Sequence, residues 1–278
     1  MLSYQHGYHA GSFADVHKHL IFTLTLEYLL QKNKPLACLD LYAGAGEYDL
    51  DDARASKTAE AEQGVLALPA TGWPAAAMAY RRVLGERAVL TGLRRYPGSP
   101  LIAARMLRDN DRLIVNELHG TEHGRLRGLL AADRRVHCHQ RDALEALPAL
   151  VPPTEKRGLV LLDPSYEVKS DYQQVPQALL GALLKWPPGV MLLWYPLLAG
   201  GQHQPMLRQL EKQLSRPWLR SELTVRPPGV GMHGSGMLVV NPPWTLARQI
   251  GSLQALLATL QQPGGSMRLT SGSQPASS

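Results

Sequence analysis

Short apolar runs alternate with amphipathic stretches along most of the chain. The runs at 35–42, 112–118, 135–140, 158–163, 189–195, 220–225 and 236–241 are six to eight residues long. They are bounded by turn residues and read as largely buried strands. Between most of them, 14–31, 100–108, 121–132, 142–150, 173–185 and 203–214 carry helical spacing, as does 252–261 further on. Repeated strand–helix units predict an α/β fold with a doubly wound, mostly parallel sheet and helices on both faces. Two strands in succession near the end predict a closing hairpin.

One interval breaks the rhythm. About seventy residues separate the first strand from the second, where a complete βαβ unit needs only about thirty. Residues 48–95 are therefore expected to form a helical insertion within one domain spanning 1–262. The insertion carries Arg81, Arg82, Arg87, Arg94 and Arg95. Any one of these is more often just part of a solvated helix face, but a group at the mouth of the sheet suits a substrate-gripping role. Residues 263–278, rich in Gly, Ser, Pro and Gln, predict a disordered tail.

The 278 residues are 45% hydrophobic, enough for a buried core. Twenty-nine basic against 23 acidic side chains give +6, and the mainly Arg basic set suits forked phosphate contacts. Cys38 and Cys138 provide no disulfide framework. His137 and His139 would share one face of a strand, opposite Cys138. A strand edge explains them better than a metal pair, and no metal is expected. With no apolar leader and no run of membrane-spanning length, a soluble, cytoplasmic protein is expected.

Chemistry gathers at the predicted strand ends. In "CLDLYAGAGEY", Asp40 precedes a turn holding Gly44 and Gly46, where a missing Cβ lets backbone approach a ligand. Asp49 stands where a dinucleotide site would have its third glycine, so S-adenosylmethionine suits the loop better. Glu117, Asp142 and Asp163 follow later strands. One can accept ribose hydroxyls and another an adenine amino group. A single such acid is usually a helix cap, but four in register favour a cofactor. Ser99 reads as an N-cap, with Pro100 in the first turn.

Two segments share an outline: Asp163-Pro164-Ser165-Tyr166 and Asn241-Pro242-Pro243-Trp244. Methylation of an exocyclic amine requires both amino hydrogens to be accepted, because the nitrogen lone pair is otherwise delocalised into the ring. A side-chain oxygen and the next backbone carbonyl can do this, while an aromatic ring stacks on an unstacked base. Asp163 closes a strand beside the glycine loop. Asn241 closes a final strand expected to run antiparallel, placing it at the opposite edge. The first segment is thus the expected site and the second a strand terminator.

"MLSYQHGYHAGSFADVHKH", "DLYAGAGEY", "YPGSPLIA", "NELH", "LLDPSYE", "LWYP" and "SGMLVVNPPW" together resemble the bacterial 23S ribosomal RNA adenine-N6 methyltransferase family. The resemblance spans nearly the whole chain except the tail. It implies a class I methyltransferase fold and S-adenosylmethionine-dependent methylation of one rRNA adenine, on free rRNA or early assembly intermediates, by a monomer. The implied cofactor set is Lys18, His19, Asp40, Tyr42, Gly44, Gly46, Ser99, Glu117, Asp142, Ala143 and Asp163. Asp163 and Pro164 would hold the target amine and Tyr166 would stack on the adenine. Tyr4, His6, Arg81, Arg82, Arg94 and Arg95 complete the expected substrate contacts. Tyr42 replaces a usual His, and Ser165 a usual second proline. No Gly-x-Ser-x-Gly elbow surrounds Ser165 to make it a nucleophile. DNA adenine methylation, or an RNA-binding module with a decayed site, are the competing readings.

Overall fold

The computed structural model describes residues 9–52, 59–85 and 92–273. Its main sheet contains β1 (Ala37–Asp40), β4 (Arg112–Asn116), β5 (Val136–His139), β6 (Gly158–Leu162) and β7 (Val190–Leu198), with β8 (Trp218–Thr224), β9 (Met232–Val240) and β10 (Ser266–Gly272). The order is β10-β8-β9-β7-β6-β1-β4-β5. Strands β5-β4-β1-β6-β7 are parallel, whereas β9, β8 and β10 join antiparallel. From β1 the chain moves outward to β4 and β5, then returns to β6 on the other side. That reversal opens a crevice at the carboxyl ends of β1 and β6.

The helices are α1 (Phe13–Leu30), α2 (Met78–Leu84), α3 (Ser99–Met106), α4 (Gly120–Leu129), α5 (Ala143–Leu150), α6 (Asp171–Lys185), α7 (His203–Gln213), α8 (Leu246–Ser252) and α9 (Gln254–Ala258). Apart from α8, they fall on the stretches of helical spacing or within the insertion. Helix α1 is unusual in being buried on every side from Ala14 to Leu26, with Asp15, His17, Lys18 and His19 included. A helix enclosed in this way must find partners for its polar side chains within the protein. His17 does so through Nδ1 to Ser235 Oγ (3.0 Å) and Nε2 to Ser221 Oγ (2.9 Å), tying α1 to β9 and β8. Burial drives its pKa down to about 3, so the ring is neutral.

Two expectations need correction. The tail is ordered as far as it is described, because β10 pairs with β8 from Ser266↔Thr224 to Gly272↔Trp218. Met267 and Leu269 alternate with Arg268 and Thr270, and the two apolar side chains pack on the core. That period-two pattern outweighs the Gly- and Ser-rich composition around it. The insertion is also less helical than expected. A two-stranded ribbon, β2 (Glu47–Asp49) with β3 (Arg95–Pro97), stands at its base. Two 3₁₀ turns, Val65–Ala67 and Ala75–Ala77, precede the seven-residue α2. Gly85, at φ +90°, ends α2 where the sequence pattern continued. Arg87 lies outside the described residues.

Among the described residues no helix is long and apolar enough to cross a membrane, and no three His, Cys, Asp or Glu side chains group as metal ligands.

Candidate active site

Two cavities meet at the carboxyl edge of the sheet. The larger, about 310 Å³, lies over β1, β4 and β5 and is lined by Lys18, His19, Tyr42, Gly44, Ser99, Glu117, Asp142, Ala143 and Asp163, among others. The smaller, about 190 Å³, lies towards β7 and β9 and is lined by Ser12, Asp15, Tyr166, Trp194, Pro196 and Met232, among others. Lys18, Asp163 and Ser165 border both.

The glycine loop is braced from below. Tyr48 Oη accepts the Ala45 N–H at 3.1 Å, and a Cβ on Gly44 would stand 2.1 Å from that oxygen. Gly44, at φ +60°, is therefore required by the turn and by Tyr48, rather than only by approach to a ligand. Glu117 holds the same loop from β4. Its Oε2 accepts the Gly44 N–H at 2.8 Å and its Oε1 the His119 N–H at 2.7 Å. Asn116 stitches three strand ends together, donating to Leu41 O and Arg141 O while accepting the Arg141 N–H. Asp142 caps α5 through Oδ1 to the Leu144 N–H at 2.7 Å.

Asp40 and Gly46 do not line the larger cavity. A Cβ on Gly46 would meet Leu126 and Leu129, so this glycine serves helix packing. Asp40 is the last residue of β1 and fully buried. Burial pushes its carboxyl up to about 7, opposed by the Ser99 hydroxyl bonded to it. Among the described residues, its Oδ2 and the Nδ1 of His119, a cavity residue, have no hydrogen-bond partner.

His19 joins the wall through an aromatic chain. Its Nδ1 lies 2.7 Å from Tyr96 Oη, and Tyr96 Oη lies 3.0 Å from Tyr80 Oη on α2. The insertion thus supports the cavity directly.

At the junction, Lys18 Nζ lies 2.5 Å from Asp163 Oδ2 and 2.8 Å from Asp15 Oδ1. Burial alone would lower the Lys18 pKa, but the two carboxylates outweigh it and hold the ammonium charged, above its ordinary range. Past Asp163 the chain turns sharply, with Tyr166 at φ +55°. Such a conformation costs a bulky residue about 1 kcal/mol or more and persists only where packing enforces it. Here the Tyr166 hydroxyl donates to Trp194 O at 2.9 Å, and its ring lies 4.5 Å from Tyr172. Tyr166 is only 7% exposed, so it forms a fixed wall of the smaller cavity instead of a free stacking platform. Trp194 Nε1 donates to Ser235 Oγ at 3.0 Å, so the His17 network also fixes this second aromatic wall.

The four described insertion arginines line neither cavity and already have partners: Arg81 with Ala70 O, Arg82 with Glu27, Arg94 with Asp51 and Arg95 with Glu47. Arg82, Arg94 and Arg95 remain 63–86% exposed. Tyr4 and His6 lie outside the described residues. Sequence reasoning missed Asp15, Tyr80, Tyr96, Asn116 and Trp194. All but Tyr80 had a signal, lying within "MLSYQHGYHAGSFADVHKH", "YPGSPLIA", "NELH" and "LWYP".

The family described as "Ribosomal RNA large subunit methyltransferase D, RlmJ" matches residues 33–270. The chain belongs to this family. It is 39% identical over 273 residues to the Escherichia coli (strain K12) protein named Ribosomal RNA large subunit methyltransferase J, covering 97% of this chain and 98% of that one. The Haemophilus influenzae protein of the same name is 38% identical, with 95% and 96% covered. A crystal structure of a Legionella pneumophila protein superposes with a TM-score of 0.85 at 35% identity, covering 96% and 99%. As an RlmJ-family member the chain is an S-adenosylmethionine-dependent methyltransferase with a class I fold. The larger cavity fits that cofactor in chemistry. It joins an apolar floor to carboxylates at three strand ends, with an orphaned His119 nitrogen in its wall.

Proposed function

We propose that this chain methylates the exocyclic N6 of one adenine in 23S rRNA, on free rRNA or an early assembly intermediate in the cytoplasm. One observation carries the adenine-N6 reading: Asp163 stands in the wall of both cavities, with Oδ2 held by Lys18. The names of the relatives supply the class of nucleic acid.

When bound, S-adenosylmethionine supplies an electrophilic methyl group. Glu117 would hold its ribose hydroxyls, and Asp142, whose Oδ1 is committed to the helix cap, would offer Oδ2 to its adenine amino group. His19 and Ser99 would contact the remainder. On the substrate side, Lys18 occupies Asp163 Oδ2, which leaves Oδ1 to accept one hydrogen of the target amine. The Pro164 carbonyl accepts the other. With both hydrogens held, the lone pair turns out of ring conjugation towards the larger cavity. Tyr166 and Trp194 enclose the base in apolar surroundings.

The exposed ion pairs of Arg82, Arg94 and Arg95 are worth little in water. Exchange for RNA phosphates releases counterions and makes binding steeply salt-dependent.

Protein-free, unmodified 23S rRNA and a DNA of matched sequence, each incubated with chain and cofactor, test the proposal by nucleoside mass spectrometry. N6-methyladenosine from RNA alone is expected. N4-methylcytidine would overturn the base assignment, and product from DNA alone would overturn the substrate class.

A further inference from the structure

Lys18 is flanked by two carboxylates where one would neutralise it. Asp15 lies one turn earlier on α1, and its side chain, that of Lys18 and that of Asp163 are 2%, 4% and 11% exposed. Two anions around one cation carry a net negative charge, and burying charge is costly unless each group is held. Asp15 is held at both oxygens, since Oδ2 accepts the Gly11 N–H at 2.9 Å and Oδ1 faces Lys18. A structural pair between α1 and the end of β6 needs only Lys18 and Asp163. The third charge therefore calls for a role of its own.

We propose that Asp15 is a positioning residue for methyl transfer, acting through Lys18; this rests on the reading of Asp163 as the holder of the target amine. Asp15 fixes one N–H of the ammonium, so a second is directed at Asp163 Oδ2. The carboxylate of Asp163 cannot then swing, and Oδ1 alone faces the base. Asp15 also shares the positive charge. Asp163 bonded to a lysine that serves it alone would be a poorer acceptor for an amino hydrogen, whereas the shared lysine leaves more negative charge on Oδ1 to accept it. Finally, Asp15 keeps Lys18 protonated in a site where burial favours the neutral amine.

The ionisable groups around the ammonium come from several elements. Asp15 and Asp163 touch it directly, and Asp40 on β1 feels both Lys18 and Asp163. Tyr42 after β1 feels Asp163, while His9, bonded to Glu60, feels Asp15. Trp194 on β7 supplies a ring 6.0 Å from Nζ. Among the described residues, removing the Asp15 charge leaves Asp163 as the one anion in contact with Lys18, so the lysine should lose its proton at lower pH.

Asp15→Asn tests this, because the amide oxygen can still accept the Gly11 N–H. Single-turnover methyl transfer at saturating cofactor and RNA is followed from pH 6.5 to 9.5, alongside calorimetric cofactor binding. The variant should be slower by about tenfold or more near neutrality. Its rate should fall towards the alkaline end of this range, where the wild-type rate holds, with cofactor affinity within about threefold. Equal rates and profiles for variant and wild type would overturn the inference. Should the variant fail to fold, the wild-type profile still decides. A rate that holds to pH 9.5 supports a lysine kept charged by two carboxylates, and one that falls well below pH 9 overturns it. An inactive wild type would instead strike at the proposed function itself.

Discussion

Asp163-Pro164-Ser165-Tyr166 and Asn241-Pro242-Pro243-Trp244 end strands that lie two places apart in one sheet, yet they face opposite ways. The first opens at the carboxyl edge between two cavities. The second sits at the start of β7, where Asn241 Nδ2 donates to Pro187 O at 2.9 Å and Gly189 O at 2.8 Å. The leading residues thus have opposite hydrogen-bonding polarity. Asp163 is an acceptor facing a cation; Asn241 is a donor already committed to two carbonyls. The left-handed turn also falls differently, on Tyr166 in one and on Asn241 in the other. Asparagine tolerates that conformation readily, while tyrosine must be held in it. The aromatic fourth residue is buried in the first segment and, as Trp244, 78% exposed in the second. A motif acquires chemistry from the direction of its strand and from what its first side chain meets.

The largest expected difference comes from Asp163→Ala, which should lower single-turnover methyl transfer by about a thousandfold or more while cofactor affinity, by calorimetry, changes only a few-fold. Comparable activity would dissolve the distinction between the two segments. Asn241→Asp should do the reverse. A carboxylate facing two carbonyl oxygens should cost about 2–4 kcal/mol in denaturant unfolding, and the rate of the folded protein should stay within about twofold. A smaller effect is expected from Ser165→Pro. Among the described residues, the Ser165 hydroxyl holds the turn only through a 3.5 Å contact with the Glu167 N–H. Proline should stiffen it and raise the rate by about two- to fivefold; an unchanged or lower rate would show that the loop is already rigid. Trp244→Ser should leave the rate untouched and stability within about 0.5 kcal/mol.

The distinction was legible in the sequence because it depends on element order. The apolar runs at 35–42, 112–118, 158–163 and 236–241 marked the strands, and their succession placed β6 beside β1. The three-residue strands β2 and β3 were too short to show a period. In β10, two apolar residues among Gly and Ser were too few. The polar logic of α1 was hidden for another reason. Lys18 meets Asp163 across 145 residues, and His17 meets Ser235 across 218, so nothing local marks either contact. Asp40 and Gly46 illustrate the converse. Both carry the pattern of a ligand loop, but register places Asp40 inside the sheet and helix α4 covers Gly46.

The position of Trp194 gives the smaller cavity an optical property. Its indole is held rigidly by Ser235, stands in the cavity wall and has the Lys18 ammonium 6.0 Å from its ring. Emission from such a ring changes when a base enters beside it and alters its surroundings. On the proposed reading, arrival of the target nucleotide there would change the intrinsic tryptophan emission without any attached label.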